Sequence, residues 1–408
     1  MSSIMHNYFY GKAGQADYTV EQMPTNRKQL FFTTLKVRFS SMVGVNLLYL
    51  VFMLPLLIWL FLGYQTLAVY LPLDGDGTDE YAIRLEEVEP GLVQEYREYY
   101  ALNQQISRLI EKYGSSDAVT AAFETASAVS SEDKDVDGNP IEEHKYTKEQ
   151  WETMKSDMVS HFNAYDLALT QARNGNITTT LLIAIPLFII ASLGRPGMMY
   201  VLRNWARDDH SFVWQDFKEA IKGNWKQALP LGLINGLSFF LFYIAWVTYG
   251  ELASGTSWAF SIAQGLMLVL LIVWWMMNEV VYTMMVTYEM KFSVLIKNSV
   301  LMVIARLPIA FLILLGTVAV PVILSFIPMP YGFLVMFLFY ALIGFALTGF
   351  VQASFSNYCF DKYLNPRIAG AEVNKGIYTP DEDEEEAAKQ DLPDVPVKED
   401  RYWEHKTK

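Results

Sequence analysis

Residues 194–227 read GRPGMMYVLRNWARDDHSFVWQDFKEAIKGNWKQ, a basic and aromatic stretch between two strongly apolar runs. It carries six Lys/Arg, at positions 195, 203, 207, 218, 222 and 226. Residues 177–193 before it and about 228–249 after it lack any charge. A run of that length and polarity spans about 30 Å of hydrocarbon as a helix rising 1.5 Å per residue. A basic connection between two such spans marks the cytoplasmic side of a membrane. The stretch therefore orients everything on either side of it.

Working outward, further uncharged or nearly uncharged runs occur at about 42–64, 258–286, 307–326 and 332–355. With 177–193 and 228–249 these make six spans. Five basic residues precede the first span, six lie between the second and third, three between the fourth and fifth, and three just after the sixth. The short connections at 250–257 and 327–331 carry none. All alternations agree, which places both termini in the cytoplasm; long inserted loops cross regardless of charge and are exempt from the count. Composition points the same way, with 52% apolar residues and 14% aromatics.

The fold class expected is all-α, a polytopic membrane protein of six transmembrane helices with an extracytoplasmic helical-hairpin insert. The expected boundaries are a cytoplasmic N-terminal segment (1–41), the first span (42–70), an acidic insert (71–176), spans two to six (177–356) with a cytoplasmic amphipathic loop at 194–227, and an acidic, disordered cytoplasmic tail (357–408). The net charge is −13, yet residues 72–175 hold 22 Asp/Glu against 9 Lys/Arg, so the insert accounts for all of it. An acidic balance of this kind excludes nucleic acid as a partner. Within the insert, Leu92, Tyr96, Tyr99, Asn103, Ile106, Ile110 and Tyr113 recur at helical spacing, as do Trp151, Met154, Met158, Phe162, Tyr165 and Leu169. Two such stripes suggest two antiparallel helices packed face to face, either a solvated domain or a docking platform.

The basic stretch divides into a continuation of the second span to Arg207, cap residues at 208–211, and a second helix from Phe212. On that helix Phe217, Ile221 and Trp225 line one face and Lys218, Lys222 and Lys226 the adjacent one, the pattern of a helix lying at a membrane surface. Tyr200, Arg203, Arg207, Trp214, Phe217, Lys218, Lys222, Trp225 and Lys226 are the expected contacts to lipid or to a membrane partner.

This region resembles the YesL-like bacterial membrane proteins, a family of unknown function. The likeness rests on Gly194, Pro196 and Gly197, then Tyr200-Val201-Leu202-Arg203, Arg207, Trp214, Asp216-Phe217 and Lys226-Gln227, and extends through the six-span plan over most of residues 30–365. The insert and the acidic tail depart from the compact family pattern. The resemblance implies an integral protein of a bacterial plasma membrane, linked with carbohydrate-uptake systems, and no established reaction.

Signatures of chemistry are sparse. No HExxH, GxSxG or phosphate loop is present, and the five histidines are scattered. The lone Cys359 cannot build an internal disulfide or a cysteine metal cluster. No enzyme activity and no cofactor are expected. Asp133, Asp135 and Asp137 have the spacing of a calcium-loop opening, but His144 stands where a bidentate Glu is needed. A solvated acidic turn is the expected reading, a calcium site the alternative. Glu279, near the cytoplasmic end of the fourth span, is a membrane-embedded carboxyl for which Arg306 is the candidate partner. Asn46, Asn235, Gln264 and Gln352 are candidates for polar contacts between spans. The expected function is that of an accessory or assembly factor for a membrane partner such as carbohydrate-transporter subunits; a transporter or channel with its pathway near Glu279 is the alternative.

Overall fold

Inside a bilayer a backbone must satisfy its own hydrogen bonds, so apolar runs of this length become helices. The computed structural model describes residues 24–70, 78–126, 147–328 and 331–378, and every regular element among them is helical. The aspartates of the calcium-like spacing lie outside the described residues. In chain order the helices are α1 (Arg27–Val69), α2 (Thr78–Val88), α3 (Pro90–Tyr113), α4 (Ser116–Ala126), α5 (Lys148–Trp205), α6 (Val213–Gly255), α7 (Ala259–Thr287), α8 (Phe292–Ala305), α9 (Leu307–Ser325), α10 (Tyr331–Phe339) and α11 (Phe345–Tyr363). A π-helix (Tyr340–Gly344) joins α10 to α11, and a 3-10 turn (Asn365–Arg367) follows. Six of these helical runs are long and apolar enough to cross a membrane: α1, α5, α6, α7, α9 and the run Tyr331–Arg367. They correspond one for one to the six expected spans.

Boundaries differ in three places. Residues 27–41, expected as part of a polar lead-in, begin α1, with Leu30 and Thr34 buried. The stretch 287–306, expected as a basic loop, is largely α8, which buries Leu295, Ser299, Met302 and Val303. The separate surface helix expected at 212–227 is the first third of α6 and runs unbroken into the third span through Pro230. A proline is tolerated in a membrane helix because neighbouring groups re-satisfy the carbonyl it frees.

The described residues form two compact units, one made of those up to 57 together with those from 183 onward, the other of those between 58 and 182. In the second unit the two expected stripes do meet: Tyr96 packs on Tyr165 and Tyr99 on Phe162, with ring centroids 5.3 and 5.2 Å apart. It is not a plain hairpin, because α2 and α4 complete its two apolar clusters. One gathers Tyr81, Leu85, Leu92 and Tyr165, where the Tyr81 and Tyr165 hydroxyls share a hydrogen bond of 2.8 Å. The other gathers Ile106, Val119, Phe123, Trp151 and Met154, and the Trp151 indole donates to Thr120 Oγ1 at 3.0 Å. α3 ends at Gly114, whose φ of 89° is the left-handed conformation that lets its N–H bond back to the Ile110 carbonyl.

In the first unit, α5 and α6 approach at backbone distance. A Cβ on Gly232 would lie 2.8 Å from Ile189 Cα, and one on Gly236 would lie 2.9 Å from Ile185 Cα. Gly232 and Gly236 are one helical turn apart, the small-xxx-small spacing that lets membrane helices touch where no hydrophobic driving force separates protein from lipid. At the centre lie two segments buried almost all round: every residue from 276 to 287 on α7, and every residue from 198 to 207, at the end of α5 and in the turn after it, except the half-buried Tyr200. Gly349 of α11 admits Met198, Met199 and Leu202 against its backbone.

Candidate functional site

The basic stretch plays two roles, divided between its two halves. Its first half is structural. Arg203 and Arg207 are buried, not displayed, contrary to the expectation of a contact surface. Arg203 stacks over Tyr200, its guanidinium 5.6 Å from the ring centroid, and its carbonyl accepts from the Asn357 amide at 3.3 Å. The turn after α5 is held from within: Asn204 donates to Ser211 Oγ at 3.1 Å, and Asp208 adopts a φ of 60°.

The chain after α11 folds over this turn. Lys375 bonds Asp209 at 3.1 Å and Glu372 at 2.5 Å, Glu372 approaches Arg207 at 3.9 Å, and the Tyr378 N–H donates to the Pro24 carbonyl at 2.9 Å. Burial opposes the charge of Lys375, but Glu372 and Asp209 outweigh it and raise its pKa. Residues 357–378, assigned from sequence to a disordered tail, are thus the end of α11 and an ordered strap. The acidic residues beyond 378 lie outside the described residues.

The second half of the stretch is the displayed one. Phe217 faces inward, against Gly197 and the Phe52 ring. Trp214, Lys218, Lys222, Trp225 and Lys226 are exposed on the opposite face of α6. Trp225 belongs with the lysines, not with Phe217 and Ile221: its ring lies under the Lys226 ammonium at 5.9 Å. Helical spacing grouped Trp225 with Phe217 and Ile221, whereas the packing of α6 buries Phe217 and leaves Trp225 exposed.

A buried polar network crosses four helices of the same unit. The Trp274 indole donates to Asn235 Oδ1 at 3.0 Å, and Asn235 Nδ2 donates to Asn278 Oδ1 at 3.0 Å and to the Tyr282 hydroxyl at 3.3 Å. Tyr282 donates in turn to Ser192 Oγ at 3.0 Å. Arg195 spans the Tyr282 ring, 5.4 Å away, and Gln352 Oε1, 2.6 Å away. Of this network Asn235 and Gln352 were expected as polar contacts. Ser192, Arg195, Trp274 and Tyr282 carry no sequence signal, since each is an ordinary residue until its neighbours on other helices are known. Gln264, also expected, donates to the Trp246 carbonyl at 2.8 Å.

Glu279 and Arg306 are not brought together as a pair. The Arg306 guanidinium lies between the Tyr358 and Tyr363 rings, at 5.1 and 5.7 Å. Glu279 is 2% exposed, and neither carboxyl oxygen has a hydrogen-bond partner among the described residues. Its main-chain carbonyl is satisfied by Ser356 Oγ at 3.2 Å.

The second unit holds one titratable cluster that the sequence reading passed over. His161 Nδ1 is 2.8 Å from Glu95 Oε2, and His161 Nε2 is 3.2 Å from Glu98 Oε2. These three residues offer ligand atoms close enough for a metal. The two carboxylates, however, address opposite ring nitrogens, and a single ion binds only one of those. Both nitrogens donate only in the imidazolium, so the arrangement is that of a protonated ring clasping two carboxylates. The hydrogen bond to Glu95 raises the His161 pKa above 6.5, with Glu98 and Asp157 adding to it against a smaller opposing effect of burial. The spacing Glu95-x-x-Glu98 on one helical face was the available signal.

A family model described as "Protein of unknown function, DUF624" matches residues 176–246, the apolar end of α5, the buried turn and the first part of α6. No curated protein and no solved structure matches the chain. The matched segment contains both Gly232 and Gly236 and the inward-facing residues of the basic stretch, so the likeness covers the part in which α5 and α6 pack together. In that segment the chain is similar to the DUF624 family, to which the YesL-like proteins belong, a family of unknown function.

Proposed function

We propose that this protein is a non-enzymatic, multi-pass protein of a bacterial plasma membrane, acting as an accessory or assembly factor for a membrane partner. Both termini are cytoplasmic in this reading, which follows from the distribution of Lys and Arg among the connections, and the acidic insert is outside. The observation that carries it is the outward face of α6, where Trp214, Lys218, Lys222, Trp225 and Lys226 are exposed together. Tryptophan prefers the headgroup level, and each lysine near an anionic surface contributes about 1 kcal/mol. A face of this composition next to a buried structural turn suits attachment to lipid and to a neighbouring membrane protein. The resemblance to the YesL-like family suggests a carbohydrate-uptake system as that neighbour.

Affinity purification from membranes in mild detergent, with mass spectrometry of what co-purifies, tests the role. Recovery of transporter subunits in fixed ratio, lost on changing Lys218, Lys222 and Lys226 together to Glu, supports it. A monomer that retains no subunit argues against it.

A transporter or channel is the second reading, favoured by the buried and unpartnered carboxyl of Glu279. Solute movement in liposomes containing the purified protein, abolished by Glu279→Gln, would favour it over the accessory role.

A further inference from the structure

Along α7, Trp275, Glu279 and Thr283 follow one another at intervals of four, which sets them on one side of the helix. Each has a buried side-chain polar atom without a hydrogen-bond partner among the described residues: the Trp275 indole nitrogen, both Glu279 oxygens and the Thr283 hydroxyl. The rest of this part of α7 is satisfied: Asn278 joins the Asn235 network, and Thr287 donates to the Thr283 carbonyl at 2.7 Å. Three successive groups of this kind lie on one side of one helix, two of them on side chains at most 2% exposed, where a buried polar atom ordinarily finds a partner.

The charged and titratable groups on the elements packed against α7 are engaged elsewhere. Arg195 of α5 bonds Gln352, and Arg203 stacks on Tyr200. The lysines of α6 are exposed, as is Lys297 of α8, and α9 has no titratable residue. On α11, Asp361 pairs with Arg27 and Lys362 lies over Tyr363, while Cys359 is a buried free thiol. Arg306 is held between two tyrosines. Nothing described offers Glu279 a compensating positive charge. An ionised carboxylate left uncompensated in such a place is strongly disfavoured. The group must therefore carry a proton or a cation. A hard cation gathers about six oxygens, whereas Glu279 and Thr283 together offer three.

We propose that Glu279 is a proton-binding site buried in the helix bundle, an acid that holds a proton at neutral pH and exchanges it through the orphaned polar face of α7. This holds whether the protein serves a partner or moves a solute, and it gives the carboxyl a definite ligand.

Infrared spectra of the full-length protein in lipid vesicles test it. At neutral pH the wild type should show the C=O stretch of an un-ionised carboxylic acid, shifted slightly in D2O, lost in alkaline buffer and missing in Glu279→Gln. Should Glu279→Gln fail to fold, Glu279→Asp, which keeps the acid, should retain the band at a shifted frequency. Superimposable wild-type and Glu279→Gln spectra in that region would overturn the proposal. So would a band that never titrates, or one that sodium removes at constant pH; the latter would make this a cation site.

Discussion

The side-chain amide of Asn46 in α1 donates to the main-chain carbonyl of Tyr340, 2.9 Å away across 294 residues of sequence. The same amide donates to the Ala341 carbonyl at 2.8 Å, and its oxygen accepts from the Ala346 N–H at 2.9 Å. These three bonds repair the backbone where the last span loosens into the π-helix Tyr340–Gly344. Asn46 is fully buried, so nothing else near it replaces them by solvation.

Replacing Asn46 with Leu keeps the branching at Cγ and removes all three bonds. A loss of roughly 2–4 kcal/mol is expected, from a buried donor and two carbonyls left unmet. Thermal or denaturant unfolding in detergent measures it. Wild-type stability in Asn46→Leu would show that the π-helix needs no such repair.

The contact of α5 with α6 predicts a graded response at three glycines. Gly232→Ala and Gly236→Ala force a Cβ to within 3 Å of backbone on α5, a displacement costing roughly 1–3 kcal/mol. Gly44→Ala in α1 meets nothing within 4 Å and should be neutral or slightly stabilising. Unfolding midpoints of the three variants separate packing from general helix propensity.

The His161 clasp makes the stability of the second unit depend on pH in a fixed direction. Its pKa is raised in the folded protein. The stabilisation is therefore fully present below the unfolded value near 6.5, and it is lost as pH rises through the higher folded value. The melting midpoint should fall over that interval in the wild type, and His161→Gln should flatten that part of the profile. Parallel profiles for the two proteins would remove the clasp as a cause. Because the three side chains are partly exposed, added salt should reduce the effect.

The strap over the buried turn can be probed at two glycines with positive φ, Gly370 at 75° and Gly376 at 80°. An alanine at Gly370 has open space and bears only the conformational penalty, about 1 kcal/mol. At Gly376 the new Cβ would also lie 2.7 Å from the Arg207 carbonyl oxygen. Limited proteolysis should cut residues 364–378 more readily in Gly376→Ala than in Gly370→Ala. Equal rates would mean that the strap does not bear on Arg207.

What was legible in the sequence is what depends on neighbours along the chain. Hydrocarbon length, missing charge and the placement of Lys and Arg marked six membrane-length helices, because a backbone in an apolar medium has no alternative to internal hydrogen bonding. Helical spacing likewise marked the stripes that meet at Tyr96–Tyr165 and Tyr99–Phe162. The roles of single polar residues depended on contacts between distant segments. Arg203 and Arg207 looked like surface charges until α11 and the strap enclosed them. Arg306 looked like a partner for Glu279 until two tyrosines at the end of α11 took its guanidinium. Burial and pairing are properties of what surrounds a side chain on all sides, and one-dimensional periodicity reports at most which side of its own helix it occupies. The sequence by itself therefore determined the six membrane-length helices, whereas the tertiary structure alone decided that Asn46 mends a π-turn and that Glu279 stands without a partner among the described residues.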